Sequence, residues 1–405
     1  LLWGTFVDGS IHEECNSLAL DSAGNVVFGG YTTSSDMPVP GGYDTTYNGG
    51  TTDLYVGKLA ANGASLLWGT YIGGSGQDAL TADRGVALAV DAQGSVIVGT
   101  STNSVSTPIP APGGFGQTQN GGWDIWVGKL SSNGSQLAWG TFLGGTNDDQ
   151  LFALALDASG NAVVGGATRG SGIPVPGGYD TSHNGGWDAY VAKISASGSQ
   201  LLWGTFLGGA GDDYCRALLV DAAGDAIVGG TTRSDDIPVP GGFDTTRNGF
   251  EDLYLAVLSP SGSQLLSGTF LGGNQSDFCL GIALDGAGGV VAAGYTSSAN
   301  MPVPGGYDTT HNGGHDFYLA KLSDSAIGVC RLSCSATVPA KAAPGASVPF
   351  QSGFATDPSG CTTPAFDWDF GDGSGHSAQQ NASHAYPTQG TYPWKLTVTG
   401  TGAAA

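Results

Sequence analysis

Leu1-Leu2-Trp3-Gly4-Thr5-Phe6 opens the chain and returns as Leu66-Leu67-Trp68-Gly69-Thr70-Tyr71, Leu137-Ala138-Trp139-Gly140-Thr141-Phe142, Leu201-Leu202-Trp203-Gly204-Thr205-Phe206 and Leu265-Leu266-Ser267-Gly268-Thr269-Phe270. The steps between copies are 65, 71, 64 and 64 residues. A fixed period of this size, rich in Gly and β-branched residues, points to a propeller or array, since one copy is too small and open to bury a core alone. A β-solenoid is the alternative, but it expects periods of about 20–30 residues.

The third copy shows the pattern of one repeat. Alternating runs Leu151 to Leu156 and Ala162 to Thr168 flank the turn Asp157-Ala-Ser-Gly-Asn161, and a long Pro/Gly/Asp/Asn loop leads to Ala189 to Ser195. With the Leu-Leu-Trp-Gly-Thr-Phe run these make four strands, and four-stranded antiparallel sheets set radially are propeller blades. The small-residue hairpin is taken as strands A and B, the Lys-bearing run as C, and the Trp-bearing run as D. Leu1 to Phe6 is then a D strand with no A, B or C before it, while Cys279 to Leu322 supplies A, B and C with no D after it. The expected fold is all-β: a five-bladed β-propeller of four-stranded blades, the N-terminal strand closing the last blade.

The run Asp-x-Tyr-Val-x-Lys-Leu, the Trp-Gly-Thr-Phe-Leu-Gly-Gly segment and the Ala-Leu-Asp-x-x-Gly-Asn-x-Val-Val-Gly-Gly run resemble the bacterial β-propeller repeat called SBBP, found in large secreted and surface proteins. The resemblance covers roughly residues 1–325, implies blades, and is silent on chemistry. The chain departs from it in a longer loop with Pro-Val-Pro-Gly-Gly-Tyr/Phe, and in Ser267 where the other copies have Trp. Beyond about Arg331 the period vanishes. Trp368-Asp-Phe-Gly-Asp-Gly-Ser374, Ser383-His-Ala-Tyr386 and Gly390-Thr-Tyr-Pro-Trp-Lys-Leu-Thr-Val398 resemble the PKD domain, which implies an Ig-like β-sandwich used mainly outside the cell as a spacer or interaction module. Pro393 lacks an N–H and suits an edge strand. The expected domains are residues 1–325, the propeller, and 326–405, linker and PKD unit.

Composition agrees with many short strands: 71 Gly and only 2 Met in 405 residues. No run of 18 or more apolar residues exists to span a membrane. With 34 acidic against 12 basic residues the net charge is −22, which repels nucleic acid and anionic lipid and attracts divalent cations. The sequence begins at Leu1 with neither a Met nor a charged-then-apolar leader, and a signal peptide is expected to have been removed or to lie outside these residues.

The D-to-A and B-to-C connections of antiparallel blades fall on one face, and that face is acidic. Glu13 and Glu14, Asp78, Asp148 and Asp149, Asp212 and Asp213, and Asp277 lie in D-to-A loops. Such carboxylates beside Asn and Gly-rich backbone are hard oxygen donors for Ca²⁺; equally, Asp and Asn start turns and recur because the repeats duplicated. Asp148, Asp149, Asp212, Asp213, Asp277 and Glu14 are the candidate metal ligands. Asp53, Asp124, Asp188, Asp252 and Asp316 precede strand C in all five copies, as loop anchors first and metal ligands second. Lys58, Lys129, Lys193 and Lys321 share one register, with Val257 in the fourth copy, which reads as a structural carboxylate pair or a snorkelling stem.

Cys15, Cys215 and Cys279 occupy one repeat position, where buried thiols are the simpler expectation; bridging needs Cα atoms within about 7 Å. Cys334 and Cys361, in the PKD-like unit, are the candidate disulfide, and Cys330 lies just outside it. No HExxH, G-x-S-x-G, P-loop or CxxC motif is present. Three function classes stand. The first is an extracellular, non-enzymatic structural or assembly protein, self-associating, filament-forming or bound to neighbouring bacterial or archaeal surface proteins. The second is a glycan-binding adhesin using Tyr43, Trp123, Trp187, Phe250 and Tyr307. The third is a secreted hydrolase, disfavoured because a catalyst needs one good site and lets the other copies diverge.

Overall fold

The computed structural model describes residues 1–80, 85–105, 109–285, 289–323, 332–356 and 365–399. All its regular elements are strands. The first sheet contains β1 (Glu13–Leu20), β2 (Val26–Thr32), β3 (Asp53–Leu59) and β4 (Leu66–Ile72), in that order. The second contains β5 (Val86–Val90), β6 (Val96–Thr102), β7 (Asp124–Leu130) and β8 (Leu137–Leu143). The third has β9 (Asp149–Leu156), β10 (Ala162–Thr168), β11 (Asp188–Ile194) and β12 (Leu201–Leu207), and the fourth β13 (Asp213–Val220), β14 (Ala226–Thr232), β15 (Asp252–Leu258) and β16 (Leu265–Leu271). A fifth has three strands, β17 (Asp277–Leu284), β18 (Val290–Thr296) and β19 (Asp316–Leu322). Every pairing within these sheets is antiparallel, in the expected A-B-C-D order.

The A-to-B turn is built by one Asp per copy. Asp21 Oδ1 accepts the N–H groups of Ala23 and Asn25, both at 2.9 Å, while Gly24 takes φ +76°, open to Gly at little cost. The other oxygen of that Asp meets the C-strand lysine: Lys58–Asp21 at 2.6 Å, Lys129–Asp91 at 2.8 Å, Lys193–Asp157 at 2.6 Å and Lys321–Asp285 at 2.5 Å. The lysine register is thus a row of carboxylate pairs, buried in the first and third sheets.

The long B-to-C loop folds back along the outer edge of its own sheet. Tyr190 OH donates to Pro174 O at 2.6 Å, and the D-strand Gly204 N–H donates to Pro176 O at 3.1 Å. Phe206 N–H then donates to Asp180 O at 3.0 Å, so Pro-Val-Pro-Gly-Gly-Tyr covers the open edge of β12. Covering an edge removes a template for unwanted strand pairing.

Neighbouring sheets pack face to face through buried clusters that each span two of them: first with second around Trp68, Leu88 and Trp126, and second with third around Trp139, Leu151 and Tyr190. Third and fourth join around Trp203, Leu218 and Tyr254, and fourth and fifth around Leu255, Cys279 and Tyr318. Two devices recur at these junctions. A B-strand glycine receives a side chain from the next A strand: a Cβ on Gly99, Gly165 or Gly229 would lie 2.6 Å from Leu151 Cδ2, 2.4 Å from Cys215 Sγ or 2.7 Å from Ile282 Cγ2. The fifth sheet has Ala293 at that position. A D-strand Trp lies against the glycine of the next sheet's C-to-D turn and donates its indole N–H there: Trp68 to Ser132 O at 3.1 Å, Trp139 to Ala196 O and Trp203 to Pro260 O at 3.0 Å each. Ser267 breaks this series, and the turn it would meet falls at residues 324–326, outside the described residues.

The expected ring closure is not formed. Leu1 to Phe6 has no strand partner, and β19 carries no fourth strand among the described residues. The N-terminal segment instead lies on the first sheet, with Trp3 donating to Ala61 O at 3.2 Å over Gly63, as Trp68 does one sheet further on. No buried cluster among the described residues joins the fifth sheet to the first. The four packed junctions link the sheets in series from first to fifth, and the closing strand is seated on the first sheet.

Residues beyond 331 form β20 (Leu332–Thr337), β21 (Ser347–Thr356), β22 (Ala365–Asp369), β23 (Ala382–Ala385) and β24 (Lys395–Thr399), in sheets β20-β21-β23 and β22-β24. Their core gathers Phe350, Trp368 and Phe370. His384 stacks on Phe370 and meets Asp372 Oδ2 at 2.7 Å, which gives it a structural place.

Replacing Lys193 by Met leaves Asp157 buried without its partner and should cost about 3–5 kcal/mol of stability, read from urea melts. Asp157→Asn together with Lys193→Met should recover most of that loss.

Candidate functional site

At each of the four packed junctions two acidic residues approach each other: the Asp that begins a C strand and an Asp from the following D-to-A connection, which is the first residue of strand A in all but the second sheet. Asp53 pairs in this way with Asp78, Asp124 with Asp149, Asp188 with Asp213, and Asp252 with Asp277; all eight are buried. Each C-strand Asp anchors its own loop by accepting the N–H of Asn48 at 2.7 Å, Asn120 at 2.8 Å, Asn184 at 2.7 Å or Asn248 at 2.9 Å. The second Asp of each pair caps the D-to-A loop by accepting Gly74 N–H at 2.6 Å, Gly145 at 2.6 Å, Gly209 at 2.8 Å or Gly273 at 2.7 Å. Hydroxyls complete the shell. Thr232 and Ser234 donate to Asp213, and Thr296 and Ser298 to Asp277.

Burial dominates the electrostatics of these groups. It pushes Asp53 and Asp149 up to about 7, with the facing carboxylates Asp78 and Asp124 adding to the effect. Burial raises Asp124 and Asp252 to about 6, and it lifts Asp78, Asp188 and Asp213 in the same direction. Opposite the row, the Lys58–Asp21 contact and the Asn25 hydrogen bonds outweigh burial and hold the Asp21 carboxyl well below its usual range.

The remaining candidates divide between several surroundings. Asp148 and Asp212 are half-buried and accept the N–H of Trp123 at 3.2 Å and of Trp187 at 3.1 Å. Asp212 also meets Arg233 Nη1 at 2.9 Å, and Arg233 Nη2 reaches Glu251 at 2.7 Å. Glu14 is exposed and accepts Tyr31 OH at 2.9 Å; the strand register puts Glu13, not Glu14, opposite Thr32, where Asp149 stands opposite Thr168. The sequence places two acids together there, and only the β1–β2 register tells them apart. No group of three or more His, Cys, Asp or Glu side chains converges as a metal cluster among the described residues. The acidic residues meet in twos, each tied to loop N–H groups.

The five aromatic candidates do not share a face. Trp123 and Trp187 stand directly before a C strand and Phe250 two residues before one, beside the D-to-A loops, with Arg169 5.3 Å over the Trp187 ring and Arg233 5.1 Å over Phe250. A cleft of about 510 Å³ lies there, lined by Gly122, Thr146, Asn147, Asp148, Arg169 and Gly186. Tyr43 and Tyr307 belong to the Pro-Gly-Gly-Tyr position, which the loop carries down the sheet edge. At that position Tyr179 N–H donates to Gly262 O, in the C-to-D turn of the next sheet. Arg169 and Arg233, unnoticed in the sequence, share one position directly after strand B in the third and fourth copies, where the others have Thr33, Asn103 and Ser297. Cys215 and Cys279 are buried and Cys15 is exposed; burial pushes the Cys215 thiol up to about 12. Cys330 and Cys361, and the Cys334 side chain, lie outside the described residues.

Because the raised carboxyls hold protons that the unfolded chain sheds above about pH 4, folding stability should fall as pH rises from about 4 through 7 and be greatest on the acid side. Asp53→Asn, which imitates the protonated form, should stabilise the chain by on the order of 2 kcal/mol at pH 8 and give no gain at pH 4. Melting curves across pH check both. A pH-independent melting temperature in the parent chain overturns the proton-holding account, and millimolar Ca²⁺ that flattened the profile would assign the pairs to a cation.

The PKD domain family profile matches residues 333–405. The chain is 27% identical over 255 residues to the "Regulatory protein FlaEY" of Caulobacter vibrioides, an alignment covering 59% of this chain and 26% of that protein. The chain therefore spans about a quarter of that relative's length. Among solved structures it is similar to a variant of the NanB sialidase of Streptococcus pneumoniae, with 9% identity and TM-score 0.42 over 74% of this chain and 59% of that one. It is also similar to a gluconolactonase of Xanthomonas campestris, with 13% identity and TM-score 0.32 over 69% and 68%. The chain is an all-β repeat protein of four-stranded antiparallel sheets carrying a PKD domain at its C-terminal end.

Proposed function

We propose that this chain works outside the cell as a non-enzymatic structural and binding unit, its repeats presenting one loop surface several times over. The observation that carries this reading is the equivalence of the junctions. The buried acidic pair, its capping N–H groups and its hydroxyls recur from sheet to sheet, as expected of a scaffold whose acids hold loops. The PKD domain supports an extracellular setting, since such domains occur mainly outside the cell as spacers. No helix of the described residues is long and apolar enough to cross a membrane.

A second reading rests on the cleft beside Trp187. An aromatic ring with Arg169 above it, next to Asp148 and Asn147, offers the stacking surface and polar edge that suit a sugar ring. Here the acidic loop face would act as a glycan-binding or adhesive surface, with Ca²⁺ as a further ligand of its carboxylates.

Calorimetric titration with oligosaccharides, beside hydrolysis assays on polysaccharide and peptide substrates, separates these possibilities. Catalytic turnover lost on Asp148→Asn with Asp149→Asn would replace the scaffold reading by an enzyme. Saccharide binding weakened at least about tenfold by Trp187→Ala, without turnover, would favour the adhesive one.

A further inference from the structure

Among the described residues the fifth sheet lacks both things that every inner sheet has, a D strand on its C-strand edge and a neighbour on its outer face. Leu319 is 68% exposed, whereas Val191 and Leu255 at the same register are 0% and 2% exposed. Beside β19 runs a groove of about 680 Å³ lined by Leu271, Pro304, Gly306, Tyr318, Leu319 and Ala320. A second cavity of about 200 Å³ is lined by His311 and Tyr318. In the third sheet the matching residues, His183 and Tyr190, hold the D-strand Phe206 ring at 5.7 and 6.1 Å. His311 Nε2 is buried without a hydrogen-bond partner. Gly178 meets the D-strand carbonyl of Gly204 so closely that a Cβ would lie 2.0 Å from it, but its counterpart Gly306 meets no D strand.

The missing strand is at the other end of the array, in place and with its pairing edge vacant. Leu1 to Phe6 has the same sequence as Leu201 to Phe206. Its Trp3 is seated in the first sheet's turn, and the following loop is docked too: Ser10 N–H donates to Asp36 at 2.9 Å and Ile11 N–H to Ser34 Oγ at 2.8 Å. The same contacts hold Ala210 to Asp236 and Gly211 to Ser234 at the inner junction. On the outward side Leu18 of β1 is 68% exposed, while its counterpart Leu218 is 6% exposed.

We infer that Leu1 to Phe6 of one copy adds to β19 of a second copy as its fourth strand, so that chains join head to tail. This rests on the reading of the chain as an assembly protein. The register follows from β11 and β12, where Lys193 faces Trp203, Val191 faces Thr205 and Tyr190 faces Phe206. Trp3 therefore faces Lys321, Thr5 faces Leu319, and Phe6 enters the His311–Tyr318 cavity. A second copy supplies the strand while the four packed junctions of each chain stay as they are. The first sheet of the copy that donates the strand then covers Leu319 of the copy that receives it, as the fifth sheet covers Leu255. A contact of this heterologous kind propagates into an open filament unless its rotation closes a ring. Because each copy carries −22, salt should strengthen the association.

Sedimentation and amide hydrogen exchange of the full chain, over a range of concentrations and salt, test this. The expected result is concentration-dependent multimers in which β19 amides exchange at least about tenfold more slowly than in the dilute monomer. Leu319→Asp, at an exposed position that folding does not need, should abolish the multimers and leave the inner sheets protected. A monomer at every concentration with β19 protected would show insertion within one chain and overturn the inference. Unprotected β19 amides in every state, or multimers untouched by Leu319→Asp, also overturn it. Multimers with unprotected β19 would leave the assembly reading standing, while saccharide binding or turnover by a strict monomer would remove that reading as well.

Discussion

The structure depends on the contact between one sheet and the next. Strands such as β10, β11, β14 and β15 are buried along their whole length, so the third and fourth sheets have no solvated face on which they could stand alone. The approach is close because a glycine lies where the neighbour's side chain arrives, and it is keyed because a Trp lies over the next turn glycine. Stability in such an array is a sum of units and nearest-neighbour interfaces. The end sheets, with one interface each, are its weakest members.

The acidity has two opposite local settings. At the A-to-B turns a lysine pairs the Asp, keeping it charged. At the sheet junctions carboxylates face each other with only N–H and hydroxyl donors for company, and there burial favours the protonated form. One residue type thus serves as a charged strut on one side of the array and as a proton-holding cap on the other. The difference lies in the partner that the C strand brings to each end: Lys at its close, Asp at its start.

Much of the fold was legible in the sequence because two periodicities carry it. The Trp-Gly-Thr-Phe run marks strand D, and Asp-x-x-Gly between apolar runs marks the A-to-B hairpin; both fall where the strands lie, as in β8, β9 and β10. The lysine register was readable as a carboxylate pair because its partner Asp recurs with it. The path of the long loop was not, since nothing local states that two Pro carbonyls will accept from Tyr190 and Gly204. That path separates Tyr43 and Tyr307 from Trp123 and Trp187. Strand counting also could not tell a strand placed to close its own array from one placed at the far end, because pairing rules are the same within a chain and between chains.

Ala293 gives the array a seam. In the inner junctions the glycine seat accepts a sulfur or a methyl so closely that a Cβ would lie 2.4–2.9 Å away. Any sheet that comes to rest on the fifth one meets a methyl group there, and cannot settle as deeply as Cys215 does over Gly165. Under a stretching load, a string of such units would part first at these shallower seats and leave each chain whole. The break would then be a reversible parting of subunits, with no repeat unravelled and no covalent repair needed.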